Sequence, residues 1–421
     1  MGKQRSKSAR SGFLQIVSGT LLGQVVTLLV LPIMSRLYNP GQFGFLTLLS
    51  SISALLAPLF ILGMEQSVVR PKNDKSARRM ASLGISSLLI GSAVVALILA
   101  VWSWPATRLE VNPRSLMIFL PLGCIVFGLT LLFNQLLVRE EKYATLAVRN
   151  TIQSLAITAV QLLCAFAGGL WGEFGLVIGF VVGTLFGAAT LLPSIWRYLQ
   201  PVSVGELFTT LKSEWRFPVV FAPSIALAQL TQQFPLLFLA GHFGVHAAGQ
   251  VGMADRIIAV PTVLVGLAGS SVFIGNLSNA LRAETGNALE IYKRFALKLS
   301  ILGLLAFLGC VFVAPPLIPI LLGVEWEDAA MMVRIMAGVC FGRIMATPLR
   351  GAFSVLGEAR LVGMFEVLRV CALMLTGLTV IFIELDFFAS ALVIYTAVAI
   401  LDFLLAALGF YMVKKRDRLA R

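Results

Sequence analysis

Twelve apolar runs, each long enough to cross a lipid bilayer as a helix, divide the sequence: 13–35, 43–69, 80–103, 116–138, 150–171 and 173–195, then 217–240, 249–275, 298–321, 329–355, 361–383 and 388–412. A helix rises about 1.5 Å per residue, so roughly 20 residues span the hydrocarbon core, where each backbone polar group must be satisfied within its own segment. A membrane β-barrel would instead show segments of about 10 residues with alternating polarity. The runs use most of the 421 residues. No stretch remains for a separate soluble domain, which needs about 50 residues or more. Only 13% of the chain is charged and 58% is hydrophobic, whereas soluble domains carry about 25% charged residues. This excludes a water-soluble enzyme, a secreted disulfide scaffold and a disordered tail protein.

The formal charge is +13, which in a soluble protein would point to nucleic acid. In a membrane chain the question is where the cations fall. With the N-terminus placed in the cytoplasm, 26 of the 33 lysines and arginines lie on inner segments. Only Arg36, Arg108 and Arg114 lie on outer ones, and four fall within spans. This positive-inside pattern predicts cytoplasmic termini and an even number of spans, because an odd number would mix the two sets. The opening MGKQRSKSAR precedes an apolar run from about Phe13 that is longer than the 7–15 residues of a signal peptide; it reads as a retained first span. Met1, Gly2 and Ser6 fit a myristoylation pattern, but a polytopic body needs no lipid anchor. The five cysteines, Cys124, Cys164, Cys310, Cys340 and Cys371, sit in apolar runs without paired spacing and read as small buried hydrophobes rather than disulfides or a metal site.

The longest connector, 196–216, carries Val204, Leu207, Phe208 and Leu211 at helical spacing beside Glu206 and Lys212, which predicts a short helix at the membrane surface. It divides the chain into an N-lobe (1–195), the linker (196–216) and a C-lobe with a basic tail (217–421). A shift of 205 residues aligns Gln24 with Gln229 and Gly44 with Gly249. The identity is thin, but a 6+6 parallel repeat is a common transporter plan, with the substrate path between the halves. The predicted fold class is all-α: a polytopic membrane protein of about 12 transmembrane helices in two six-helix lobes around a central cavity.

Charges at mid-bilayer are costly and mark candidate function. Asp402 lies about ten residues, roughly 15 Å, from the inner end of its run, and Arg343 sits near the middle of another; the two could pair with each other. Arg334, nine residues before Arg343, is on the opposite face and near enough to the outer end to snorkel. Glu366 and Arg369 are spaced i,i+3 and could pair locally. Asp255 and Arg256 are adjacent and diverge by about 100°, so one can face a cavity while the other pairs. Glu65 and Arg70 read as interfacial. Uncharged polar residues gather in the first run of each half, among them Gln24 and Gln229. His242 and His246 lack a third ligand, so no metal is expected. No nucleotide-phosphate loop, nucleophile elbow or HExxH is present, and no cofactor is expected.

Four stretches carry a resemblance. LPIMSRLYNPGQFGFLTLLSSI (31–52), LKSEWRFPVVFAPSIALAQL (211–230), ILLGVEWEDAAMMVRIMA (320–337) and SVLGEARL (354–361), taken in order, resemble the O-antigen (Wzx) flippases of the multidrug/oligosaccharidyl-lipid/polysaccharide exporter superfamily. The chain departs from that pattern at Gln232, Gln233 and Phe234, where a charged residue is common. The resemblance implies a bacterial inner-membrane flippase moving an undecaprenyl-pyrophosphate-linked oligosaccharide from inner to outer leaflet. Its partners would be that polyprenyl-pyrophosphate-linked oligosaccharide, membrane lipids and other polysaccharide-assembly membrane proteins, not nucleic acid. On this reading Arg256, Arg343 and Arg369 meet phosphate or acidic sugars, because guanidinium groups fit phosphate bidentately. Gln24 and Gln229 meet sugar hydroxyls, and Asp255, Asp402 and Glu366 serve charge pairing or ion coupling. Two alternatives stay open: a cation- or proton-coupled multidrug antiporter of the same superfamily, and a membrane-embedded glycan polymerase or ligase.

Overall fold

A computed structural model describes residue 23 and residues 26–71, 73–101, 111–282 and 287–419. Gln24, the basic N-terminal segment and most of the first predicted span lie outside the described residues. Among the described residues the chain is all-α, without a β-strand. Nine helices are long and apolar enough to cross a membrane, or ten if Val324–Ile335 and Ala337–Leu356, bent by 50°, form one broken span. The sequence reading expects twelve. The difference has two sources: the first run is mostly not described, and one continuous stretch, Phe217–Arg282, covers two predicted runs. Within that stretch Gly244 breaks the helix at φ 84°, ψ −179°.

Residues group into two compact units, one comprising 1–233 with 240–249 and the other 234–239 with 250–421. In the first unit the helices are α1 (Val26–Leu37), α2 (Pro40–Phe60), α3 (Met64–Ser67), α4 (Asp74–Val101), α5 (Pro113–Arg139), α6 (Tyr143–Ala167), α7 (Gly169–Ala189), α8 (Val204–Ser213) and the start of α9 (Ala222–Arg282). The segment LYNPGQFG sets the entry to α2. The Asn39 side chain accepts from the Gln42 N–H, the Gln42 side chain accepts from the Asn39 N–H, both at 3.0 Å, and Pro40 occupies the first turn where its missing N–H is harmless.

Helix α7 packs on α6 through glycines four residues apart. A Cβ on Gly179 would lie 2.3 Å from Gln161, and one on Gly183 2.5 Å from the Ile157 backbone nitrogen. With little hydrophobic drive between helices in lipid, close backbone approach and dispersion supply the contact. Gln161 reinforces it, donating to the Leu176 carbonyl at 2.9 Å, while the Tyr38 hydroxyl donates to the Gln161 carbonyl at 2.6 Å. Gly44 and Gly249 approach in the same way: a Cβ on Gly44 would lie 1.8 Å from the Val245 oxygen, and one on Gly249 1.9 Å from the Pro40 oxygen.

At the predicted inner end, fully buried Tyr198 centres a polar network. Its hydroxyl contacts Asp74 at 3.2 Å and Glu140; Arg139 reaches Asp74 at 3.0 Å, and Arg197 reaches Asp74 at 3.3 Å and Glu140. Helix α8 lays Leu207 and Leu211 on the apolar core of this unit and leaves Val204 and Phe208 exposed.

The second unit holds the rest of α9, then α10 (Ala288–Leu308), α11 (Ala314–Leu322), α12 (Glu327–Ile335), α13 (Ala337–Leu349), α14 (Gly351–Leu356), α15 (Ala359–Ile383) and α16 (Phe387–Leu419). Gln250, almost fully buried, satisfies the start of α12: its amide donates to the Glu325 carbonyl at 2.8 Å and accepts from the Ala329 N–H at 2.9 Å. Helix α13 presses on α16 at two glycines: a Cβ on Gly338 would lie 3.5 Å from Ala399, and one on Gly342 3.0 Å from the Cβ of Asp402.

Candidate functional site

The second unit gathers most of the in-span charges that the sequence singles out. Asp255 on α9 faces Arg343 on α13, with Nη1 to Oδ1 at 2.8 Å. Arg369 on α15 faces Asp402 on α16 at 3.0 Å. Arg350, at the end of α13, holds Glu366 on α15 at 2.6 Å. The close packing at Gly342 brings Asp402 near these groups, so that Arg343, Arg350 and Glu366 all act on it electrostatically. Tyr395, buried on α16, is close enough to feel both Asp255 and Arg343. Three guanidinium groups and three carboxylates thus form one balanced cluster.

Two pairings differ from the sequence expectation. Asp402 pairs with Arg369 rather than Arg343, because Asp255 takes Arg343. Glu366 and Arg369 do not pair within their helix; each meets a partner from a neighbouring one, Arg350 and Asp402. Across-helix pairing lets each side chain extend toward a group of opposite charge instead of folding back along its own surface.

The pairs are not alike in exposure. Arg369 and Asp402 keep 10% and 5% of their side-chain surface, while Arg343 and Asp255 keep 31% and 45%. The buried pair leaves Arg369 Nε and Asp402 Oδ2 without hydrogen-bond partners among the described residues. An anion at Arg343 would compete with Asp255 for the same N–H groups. Arg256 lies half-buried beside this pair.

Gln229, half-buried, belongs to the first unit, and Gln24 lies outside the described residues. Arg334 is exposed, and its Nε donates to the Val311 carbonyl at 3.4 Å.

The first unit holds two charged groups that sequence reading placed at the membrane edge. Arg149, on the inner side by the cation count, is only 4% exposed on α6; it donates to the Asn150 side chain at 2.9 Å, and its Nε and Nη2 have no partner among the described residues. Glu65, read as interfacial, is 3% exposed on α3, with Oε2 unpartnered among the described residues. The only sequence signal for Arg149 was a cation one residue before an apolar run. For Glu65 it was Gly63 two residues earlier, whose φ of 68°, beside Leu62 at 58°, turns the chain back and tucks α3 in.

No curated protein matches the chain closely in sequence. Among solved structures, an inward-facing multidrug resistance MATE family transporter of the MOP superfamily shares the fold with a TM-score of 0.71 at 13% identity, over 96% of this chain and 95% of its own. The lipid II flippase MurJ, in an inward closed conformation, gives 0.62 at 12% identity over 99% of this chain and 90% of its own. A MOP superfamily transporter from Pyrococcus furiosus, whose binding pocket is described as having reverse polarity, gives 0.59 at 14% identity over 97% and 96%. The chain therefore shares its fold with these transporters. The sequence model for polysaccharide biosynthesis proteins matches residues 33–331, well over half of the chain, and the chain belongs to this polysaccharide biosynthesis protein family.

Proposed function

We propose that the chain is a flippase, not an enzyme, that moves an undecaprenyl-pyrophosphate-linked oligosaccharide from the inner to the outer leaflet of a bacterial inner membrane by alternating access. The observation that carries this reading is membership of a polysaccharide biosynthesis family in a chain with the fold of a lipid flippase. A polar sugar-pyrophosphate head cannot dissolve in hydrocarbon, because burying one unpaired ionised group costs far more than thermal energy. Arginines in the spans substitute for water. Arg343 receives phosphate by exchange with Asp255, Arg256 adds a second cation, and Arg369 is held in reserve by Asp402. Gln24 and Gln229 serve sugar hydroxyls. The polyprenyl tail stays in lipid throughout. In this reading both termini are cytoplasmic, and lobes 1–195 and 217–421 are joined by the linker 196–216. An inside-negative potential favours outward movement of negative charge by about 2.3 kcal/mol per charge per 100 mV.

Arg343→Gln tests the assignment in cells. Lipid-linked glycan on the outer face should fall while protein level and melting temperature hold. Normal outer-face glycan in that variant would remove Arg343 from the path.

A second reading has one observation in its favour. Buried Glu65 supplies the first-unit carboxylate that a cation- or proton-coupled multidrug antiporter would need. Drug efflux abolished by Glu65→Gln, with glycan flipping absent in the parent protein, would select it.

A further inference from the structure

Two adjoining cavities open at the predicted inner end of the first unit, where α3, α8 and the approach to α9 meet. The larger, about 590 Å³, is lined by Arg70, Arg216, Trp215, Phe217 and Phe221 among others. The smaller, about 340 Å³, adds Arg79 and Thr210. Arg70, Ser213 and Glu214 line both, so the two form one continuous recess.

Its cations are held in place. The Arg70 guanidinium sits over the Phe217 ring at 5.3 Å, and Arg216 over Trp215 at 5.9 Å. Arg79 is steadied by Glu206 of α8 at 2.5 Å. Phe217 and Phe221 stack at 4.9 Å and wall one side. Glu214 is the one carboxylate among the lining residues, against three arginines. Beside the recess, Trp215, Val219, Val220 and Phe221 are 51, 61, 50 and 45% exposed, an apolar strip in line with the start of a membrane-spanning helix. Tryptophan at such a position marks headgroup depth.

We propose that this recess binds the headgroup phosphate of an anionic phospholipid of the inner leaflet, with the acyl chains lying along the Trp215–Phe221 strip. Arginines there supply charge-assisted hydrogen bonds to phosphate oxygens. A soluble phosphate would use the cations and leave the strip uncovered; a lipid uses both. The assignment does not depend on the flippase reading, since none of these residues is placed in the transport path.

Native mass spectrometry of the intact protein, offered phosphatidylglycerol and phosphatidylcholine in equal amounts, tests it. The parent should retain phosphatidylglycerol preferentially. At the attraction typical of one basic residue near an anionic surface, Arg70→Ala with Arg216→Ala should weaken retention about thirtyfold. The charge-matched tail variant Lys414→Ala with Lys415→Ala should leave it unchanged, and glycerol 3-phosphate should not displace the lipid. If the double variant does not yield monodisperse protein, Arg70→Gln alone should weaken retention about fivefold. Equal loss in the tail variant, equal retention of phosphatidylcholine, displacement by glycerol 3-phosphate, or displacement by a polyprenyl phosphate would each overturn the proposal.

Discussion

A guanidinium deep in a membrane protein is tolerable only with a partner, and the kind of partner tells its work. Arg369 and Asp402 are nearly sealed. Removing one member of such a pair leaves the other buried and uncompensated, which costs about 3–5 kcal/mol, whereas an apolar replacement of both is often neutral. Asp402→Ala should therefore lower the melting temperature sharply, and Arg369→Leu with Asp402→Leu should recover most of it; a double variant as unstable as the single would show that the pair does more than neutralise. Arg343 and Asp255 keep more of their side-chain surface, 31% and 45%, than the sealed pair. Asp255→Asn should lower the melting temperature less than Asp402→Ala does, and lower the substrate concentration for half-maximal transport by freeing Arg343. A raised half-maximal concentration would instead make Asp255 a direct ligand.

Helix contacts in this chain are set by small residues more than by apolar surface. Gly183→Leu should drive a side chain into the Ile157 backbone and destabilise the first unit by at least the 1–3 kcal/mol typical of overpacking. Gly205→Ala on α8, with open space around it, should stabilise by about 0.5–1 kcal/mol; thermal melts of the two variants read both. The ladder Gly175, Gly179, Gly183 and Gly187 is plain in the sequence once α7 is known to pack on α6. Hydropathy placed most of the helices because lipid demands length. The capping box that closes the LYNPGQFG turn was not foreseen, although Asn39 and Gln42 stand at its spacing. The close approach of Gly44 and Gly249 was not foreseen; the 205-residue shift aligned them only as equivalent positions of a repeat. Salt-bridge partners were not readable: Asp255, Arg343, Glu366, Arg369 and Asp402 lie on four helices, and their choice of partner depends on approach distances that no linear spacing encodes. The burial of Arg149 and Glu65 was hidden for the same reason, since a residue at the edge of an apolar run looks wet until its neighbours are known.

Taken as a whole molecule, the chain carries two charged groupings, each inside one unit: a cluster on the span helices of the second, and a network around Tyr198 in the first. The network responds to acid. Burial alone would raise the Glu140 carboxyl, but the Tyr198 hydroxyl and Arg197 outweigh it and hold that carboxyl below the ordinary glutamate range. Stability from this source is present above the ordinary glutamate pKa and is lost as pH falls through the lowered one. Melting temperature should therefore drop between about pH 5 and pH 3 in the parent, and less steeply in Glu140→Gln; parallel curves would place the acid-sensitive step elsewhere.

The most direct measurement is reconstitution. Purified protein in liposomes, loaded with a fluorescently labelled undecaprenyl-pyrophosphate oligosaccharide, should move label to the outer leaflet, faster with the interior negative and far more slowly with Arg343→Gln. Label that stays in its original leaflet while the protein is folded and inserted, or that crosses equally well with Arg343→Gln, would contradict the account.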